Sequence, residues 1–217
     1  FCIKPDLRDL NYSKYFEDGK NNYSDFQEYN SQNTIRLNQF EMVNLLKKSN
    51  LFWKIMNLKS KKVILITGSN GFIGKNFEMR LREIDSIEII TFNKDNDKSV
   101  LFELISKCSA VFHFAAVNRS KEDVFDEENY EFTKIICDQI IKVQDKFNNL
   151  IPIHFTSSSQ AILDNPYGKS KLKAENYIKY ISKESNLKAF IYRLPGVFGK
   201  GCKPNYNSVI ATFCHNI

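Results

Sequence analysis

Tyr167 and Lys171, four residues apart in Asn165-Pro166-Tyr167-Gly168-Lys169-Ser170-Lys171, are the pair in this sequence best suited to chemistry. On a helix that spacing puts both side chains on one face, one above the other. A nearby ammonium stabilises tyrosinate, which would bring the phenol down from about 10 towards neutral pH. Such a phenol can pass a proton to or from a sugar oxygen while hydride moves to or from a nicotinamide. The ammonium can also hydrogen-bond the cofactor ribose. Just upstream stands Thr156-Ser157-Ser158-Ser159, and a hydroxyl from that run would hydrogen-bond the reacting carbonyl.

Tyr-x-x-x-Lys alone arises often by chance, so the case needs a cofactor seat. Val63–Gly74 reads V-I-L-I-T-G-S-N-G-F-I-G and gathers three of the chain's eight glycines into seven residues. They lie between an aliphatic run and a helical pattern. Glycines there permit a tight turn, let the backbone approach a pyrophosphate, and let helix pack close to strand, while the helix N-terminus offers free N–H groups. The candidate cofactor contacts in this loop are Gly68, Asn70, Gly71, Phe72, Ile73 and Gly74. About 20 residues on, an acidic side chain would bind the ribose 2′-OH of NAD. Thr91-Phe92-Asn93-Lys94 stands there instead. Asn93 and Lys94 are therefore assigned to the cofactor, and Lys94 could pair with a 2′-phosphate. NADPH is the expected cofactor, with NAD as the alternative if Asp95 or Asp97 serves the ribose.

The elements that must carry these residues follow from periodicity. Val63-Ile64-Leu65-Ile66 has the composition of a strand buried on both faces. Further strands are expected at Ile87–Phe92, Ala110–Phe114, Ile151–Thr156 and Ala189–Tyr192. Helices are expected after the glycine turn, at Val100–Lys107, within Glu122–Lys146 and at Tyr167–Ser185. Strand–helix alternation with short links predicts an α/β fold, a doubly wound parallel sheet of Rossmann type. Residues 1–55 differ in texture: they are polar, rich in Asn, Tyr and Lys, with one partial apolar stripe near Asn38–Lys48. The expected organisation is thus an appendage over 1–55 and a nucleotide-binding catalytic domain over 56–217.

Composition narrows the functional classes. The 217 residues are 42% hydrophobic and 13% aromatic, ordinary for a globular chain. No apolar run approaches a membrane span, and no secretory leader is evident at the start. Five scattered cysteines without a framework suggest reduced thiols and a cytoplasmic setting. His113, His154 and His215 are too dispersed for a metal site, so no metal is expected. A net charge of +6 without zinc-finger spacing, RNP motif or Arg-rich helix does not point to nucleic acid. It equally suits an anionic nucleotide substrate. Oligomeric state stays open, a homodimer included.

V-I-L-I-T-G-S-N-G-F-I-G, H-F-A-A-V-N-R, F-T-S-S-S-Q and N-P-Y-G-K-S-K-L-K-A-E, in this order, resemble the motifs of the extended short-chain dehydrogenases/reductases. The resemblance implies that Ser158, Tyr167 and Lys171 form the Ser/Thr–Tyr–Lys triad, with Ser157 and Ser159 as close rivals of Ser158. It also implies that Ala115 and Ala116 line the cofactor and that Asn129 is the family's helix asparagine. Ala116–Arg119, Asp164–Gly168 and the long run Phe198–Cys214 are similar to capsular polysaccharide reductases. That narrower resemblance implies NADPH-dependent reduction of the 4-keto group of a UDP-2-acetamido-2,6-dideoxy-hexos-4-ulose, on the route to UDP-N-acetyl-L-fucosamine. Asn118, Arg119, Lys203 and Asn205 would then face substrate. It also implies a fuller substrate lobe and a cupin domain beyond Ile217. The sequence departs from the family at Gly196, where Arg193–Gly199 usually carries asparagine.

Lys4–Tyr12 and Glu28–Thr34 resemble the tail of the capsular 4,6-dehydratase/5-epimerase acting one step earlier. No activity is expected of that segment. Dehydration is disfavoured for the catalytic part as well. Removing water needs an acid and a base, usually an Asp-Glu pair at this place, and Ser158 is followed by Ser159-Gln160. A 4-epimerase is excluded less firmly, as is a non-catalytic dinucleotide-binding fragment.

Overall fold

The computed structural model describes residues 33–36, 61–119 and 122–217. Strands β1 (Asn33–Arg36), β2 (Lys62–Thr67), β3 (Ile87–Phe92), β4 (Ala110–His113), β5 (Ile153–Ser158) and β6 (Ala189–Leu194) form one sheet, ordered β1-β6-β5-β4-β2-β3. Every pairing is parallel. The helices are α1 (Phe72–Leu81), α2 (Leu101–Ser106), α3 (Glu122–Phe125), α4 (Phe132–Phe147), α5 (Pro166–Glu184) and α6 (Val209–Asn216). A π-helical turn, Asp126–Glu131, joins α3 to α4.

The aliphatic run explains the double winding. Leu65 packs on one face with Val111, Ile153 and Ile191, under Ile105 of α2, Ile140 of α4 and Ile178 of α5. Its neighbours Ile64 and Ile66 turn to the other face, against Phe77 and Leu81 of α1. A strand covered on both sides has no polar face to alternate, hence its continuous apolar sequence. Burying a Leu- or Ile-sized side chain contributes about 1.5–3 kcal/mol each. Single truncations here would therefore remove a sizeable share of the fold's stability.

The structure departs from the expected elements in several places, β6 among them, which runs on to Leu194. β5 runs two residues further than expected, so Ser157 and Ser158 lie inside the strand, paired with Arg193 and Leu194. The hydroxyl run looked like a loop, yet its backbone completes the ladder. The long helix contains the π turn, which no apolar period announces. Helix α6 was not anticipated, because its apolar residues are exposed and give no buried stripe. Finally, Asn33–Arg36 adds to the free edge of β6, although the sequence gives that segment no strand pattern. An edge strand is specified by backbone pairing rather than by alternation. The stripe near Asn38–Lys48 lies outside the described residues.

Two histidines are enclosed in this core. Burial first, and the charge of Lys171, bring His113 down to about 3; burial and Lys188 do the same for His154. His154 lies flat between Phe112 and Phe190, with ring centroids at 4.3 and 4.7 Å. Both stay neutral while the unfolded chain begins to bind protons at about 6.5. Stability contributed this way is complete above that value and is lost as pH falls towards 3. Each histidine steepens the loss by about 1.4 kcal/mol per pH unit. Urea midpoints between pH 7 and pH 4.5 should fall accordingly, and His154→Phe should reduce the slope by about one histidine's share.

Candidate active site

A cleft of about 600 Å³ opens over the C-terminal ends of the strands. It sits where strand order reverses between β2 and β4, the position at which doubly wound sheets bind ligands. Gly68, Asn70, Gly71, Phe72, Ile73 and Gly74 form one wall, and Ala116, Ser158, Tyr167 and Lys171 line it too.

The glycine loop has backbone geometry that suits a phosphate. Gly68 has φ +70°, and a Cβ there would stand 2.6 Å from the Ala115 backbone. Ala115 therefore backs the loop at close contact, while Ala116 reaches the cleft itself. Gly71 caps α1 with no side-chain hydrogen bond, and the first turn carries no acidic residue. The free amides of that turn keep their partial positive charge for an anion. The chain's own geometry thus fits a dinucleotide pyrophosphate.

At the end of β3, Asn93 braces the loop. Its Oδ1 accepts from the Ser69 hydroxyl at 3.2 Å and from the Asn70 amide at 3.1 Å. Lys94 is turned to the surface, with Nζ 2.9 Å from Glu128 Oε1, and lies outside the cleft wall. The Glu128 hydrogen bond holds its ammonium above the usual lysine range. Asp97 is engaged as well, accepting from the amide and hydroxyl of Ser99.

Local sequence sets the start of helix α5. Asn165 caps α5 by accepting from Gly168 N at 2.7 Å, and Pro166 occupies the first turn. Tyr167 then lines the cleft together with Ser158, whose hydroxyl accepts from Gln160 N at 3.1 Å. The three serines take different directions. Ser157 donates to Glu175 Oε1 at 2.5 Å, Ser158 lines the cleft with Tyr167, and Ser159 opens a 3-10 turn. Lys171 is buried, 2% exposed; its ammonium donates to Thr156 O at 3.0 Å and lies 4.8 Å from the Phe155 ring centroid.

The electrostatics correct one expectation from the sequence. Burial raises the Tyr167 phenol above its ordinary range, and the Ser158 hydrogen bond offsets this only in part. Lys171 is brought down to about 7 by burial, against the pull of Glu175. The ammonium is aimed at a carbonyl, so desolvation outweighs the charge pairing that helical spacing alone suggested. A phenol kept protonated is a proton donor.

Behind the cleft runs a buried polar chain. Thr67 Oγ1 meets His113 Nδ1 at 2.6 Å, and His113 Nε2 meets Thr133 Oγ1 at 2.9 Å. Thr133 donates to Asn129 O at 2.5 Å. Asn129, in the π turn, grips Val117 through both N and O and donates to Ser170 Oγ at 3.0 Å. Ser170 donates to Tyr167 O at 2.8 Å. The extra residue of a π turn is what brings Asn129 inward, a device common at functional sites.

The four substrate-side candidates separate. Asn118 and Lys203 line the cleft, whereas Arg119 and Asn205 do not. Arg119 lies over the Tyr206 ring and donates to Asn207 Oδ1 at 2.9 Å and to Tyr206 O. Asn205 takes a left-handed turn, φ +55°, and its amide donates to Thr212 Oγ1. The sequence reading passed over Tyr206, Asn207, Gln160 and Lys75, which do line the cleft. Tyr206 and Asn207 lay within the run that resembled the reductases. Only the fold, which joins Tyr206 OH to Asn118 Oδ1 at 2.9 Å, distinguishes them. At Gly196 an added Cβ would meet nothing within 4 Å, so the missing asparagine leaves open space. Among the described residues no group of three or more His, Cys, Asp or Glu could hold a metal, and no helix is long and apolar enough to cross a membrane.

Comparison with known proteins agrees with this architecture. Residues 64–217 match the NAD dependent epimerase/dehydratase family. The chain belongs to that family. Residues 6–51 match a second family, described as polysaccharide biosynthesis protein C-terminal. Among relatives, a UDP-2-acetamido-2,6-beta-L-arabino-hexul-4-ose reductase of Pseudomonas aeruginosa is 41% identical over 155 residues, covering 71% of this chain and 41% of that protein. The crystal structure of the capsular polysaccharide assembling protein CapF of Staphylococcus aureus aligns at 35% identity and TM-score 0.57, over 70% of this chain and 40% of that one. DesIV, a dTDP-glucose 4,6-dehydratase of Streptomyces venezuelae solved with NAD and TYD, shares the fold at 18% identity and TM-score 0.60, over 71% of this chain and 61% of that one. The chain spans about two fifths of the length of the first two relatives.

Proposed function

We propose that this chain carries the cofactor-binding and catalytic part of an NADPH-dependent reductase. It acts on the 4-keto group of a UDP-2-acetamido-2,6-dideoxy-hexos-4-ulose, in the supply of capsular or surface polysaccharide precursors, in the cytoplasm. The observation that carries the reading is the Ser158–Tyr167 pair, facing a cleft whose other wall is the glycine loop. The dinucleotide, when bound, supplies hydride. Ser158 hydrogen-bonds the keto oxygen, and the protonated phenol of Tyr167 donates to that oxygen as it gains charge. Lys171 fixes the Thr156 carbonyl at the floor of the site. Asn118 and Lys203, with Tyr206 and Asn207, supply the polar groups on the sugar-nucleotide side.

Three features favour this reaction over its neighbours. A phenol raised by burial starts in the form that reduction consumes. Dehydration would need an acid–base pair where Ser159 and Gln160 stand. The relative from Pseudomonas aeruginosa is itself named for reduction of a UDP-linked keto sugar. The same division of the chain supports residues 1–55 as a segment of separate origin, joined to a catalytic domain over 56–217.

NADPH is favoured because Asn93, not a carboxylate, stands at the end of β3, and because Asp97 is already engaged. The Lys94–Glu128 pair is exposed and screened by solvent and salt, so a 2′-phosphate can displace it. Titration of the purified chain with each dinucleotide should give about tenfold tighter binding of NADPH, a difference of about 1.4 kcal/mol. Equal or tighter binding of NADH would overturn the choice. Adding the UDP-linked keto sugar should then oxidise NADPH and yield the 4-hydroxy product. Cofactor binding without turnover would replace the reductase reading with that of a dinucleotide-binding fragment.

A further inference from the structure

Lys171 is backed by a buried ionic cluster that the proposed chemistry does not use. Glu175 lies one helical turn beyond it on α5 and is fully buried. Its carboxylate receives both arms of Arg193, Nε to Oε1 at 2.8 Å and the terminal nitrogen to Oε2 at 2.7 Å. Ser157 adds a third bond at 2.5 Å, and Lys179 stands 3.5 Å away. Glu175 thereby fastens three elements together: α5, the end of β5 at Ser157, and the end of β6 at Arg193. Ser157 adjoins Ser158, and Arg193 adjoins Leu194 in the cleft wall. Replacing such a pair by apolar groups is often neutral or stabilising, so stability alone is a weak reason for it.

We propose that the Glu175–Arg193 pair is a positioning unit that governs the charge carried by Lys171, with the carboxylate favouring the ammonium and the guanidinium limiting that support. The inference rests on the reading of Lys171 as part of the proton-handling site. Glu175 and Tyr167 flank Lys171 on its own helix and His113 couples to it from β4, while Arg193 on β6 and Lys179 attach to Glu175. His113 is held neutral by burial, and Tyr167 by its raised phenol. Glu175 is therefore the only anion among these five, and Arg193 and Lys179 are the cations that temper it. Burial pushes its carboxyl up, and the bonds from Arg193 and Ser157 with the charges of Arg193 and Lys179 more than reverse this. The ammonium of Lys171 consequently faces a carboxylate already partly neutralised.

The test reads the Lys171 titration directly, by NMR of the full chain with isotopically labelled lysine, the resonance being assigned from Lys171→Arg. This readout needs neither substrate nor turnover, so it fails or succeeds independently of the reductase reading. Glu175→Gln keeps the shape and removes the charge, and should move the Lys171 midpoint down by about one pH unit. Arg193→Met and Lys179→Met unmask the carboxylate and should move it up, Arg193→Met by more. Opposite shifts from the two kinds of variant are the signature of charge control. A cluster that served only to hold the fold would loosen the site in every variant and move Lys171 upward each time, and that result overturns the proposal. Lys179 is partly exposed, so Lys179→Met keeps the test decisive should the buried variants fail to fold. An upward shift with the urea midpoint unchanged supports the proposal; an upward shift that accompanies a lowered urea midpoint, or an unmoved Lys171, overturns it.

Discussion

Tyr167→Phe should lower NADPH-dependent turnover by about a thousandfold while dinucleotide affinity stays essentially unchanged. The substitution removes one hydroxyl and keeps the ring, whose edge-on contact with Phe125 at 5.9 Å between centroids holds the side chain in place. What disappears is the proton that the phenol would deliver to the keto oxygen. Water can supply a proton only without the positioning, and positioned acids contribute about 10²–10⁴ in rate. Ser158→Ala should act in the same direction but more weakly, because the phenol remains. Turnover that Tyr167→Phe leaves intact would remove Tyr167 as proton donor, and with it the reason to separate this site from a bare dinucleotide fold.

The pH behaviour of that reaction follows from two displaced groups of opposite kind. The phenol is raised, so it remains a donor throughout the neutral range. Lys171 sits at about 7, so its charge changes inside that range. An ordinary phenol would also stay protonated there, whereas an ordinary lysine would keep its charge, so Lys171 is the group that gives the site its neutral pH response. The helical spacing of Tyr167 and Lys171 was legible from residue types. Their protonation was not, because it depends on how deeply α5 is seated against β5 and on where the ammonium finds a carbonyl.

The same division applies to the fold. Val63–Ile66 announced a strand covered on both faces, and the glycine spacing announced the turn after it, because each depends on local chemistry that sequence records. The π turn at Asp126–Glu131, the brace from Asn93 to the glycine loop, and the polar chain through His113 depend on residues distant in sequence meeting in space. Asn93 sits 23 and 24 residues from its partners Asn70 and Ser69, and Thr67 lies 46 from His113. Such pairs leave no periodic trace. Arg119 shows the reverse case. Its charge and its place in a recognisable run suggested substrate contact, yet the structure turns it onto Tyr206 and Asn207, closing the loop after β4 against the loop before α6.

Gly74→Ala should abolish tight dinucleotide binding. A Cβ at this position would stand 2.3 Å from Gly68 O and 2.7 Å from Ser69 Cα. Both are backbone atoms of the turn proposed to receive the pyrophosphate, so no side-chain rotation can relieve the clash. Helix α1 must move away from the loop, and overpacking of this kind costs about 1–3 kcal/mol. The displacement also carries the amides of Phe72 and Ile73 off the phosphates, and a misplacement near 1 Å is enough for about a hundredfold loss. Gly196→Ala makes a matched control in the same cleft, because an added methyl there meets nothing within 4 Å. Calorimetric titration should therefore show dinucleotide binding lost or weakened about a hundredfold in the first variant, and nearly unchanged in the second. Wild-type affinity in Gly74→Ala would mean that the phosphates do not rest on this loop, and the orientation of cofactor towards Tyr167 would have to be drawn anew.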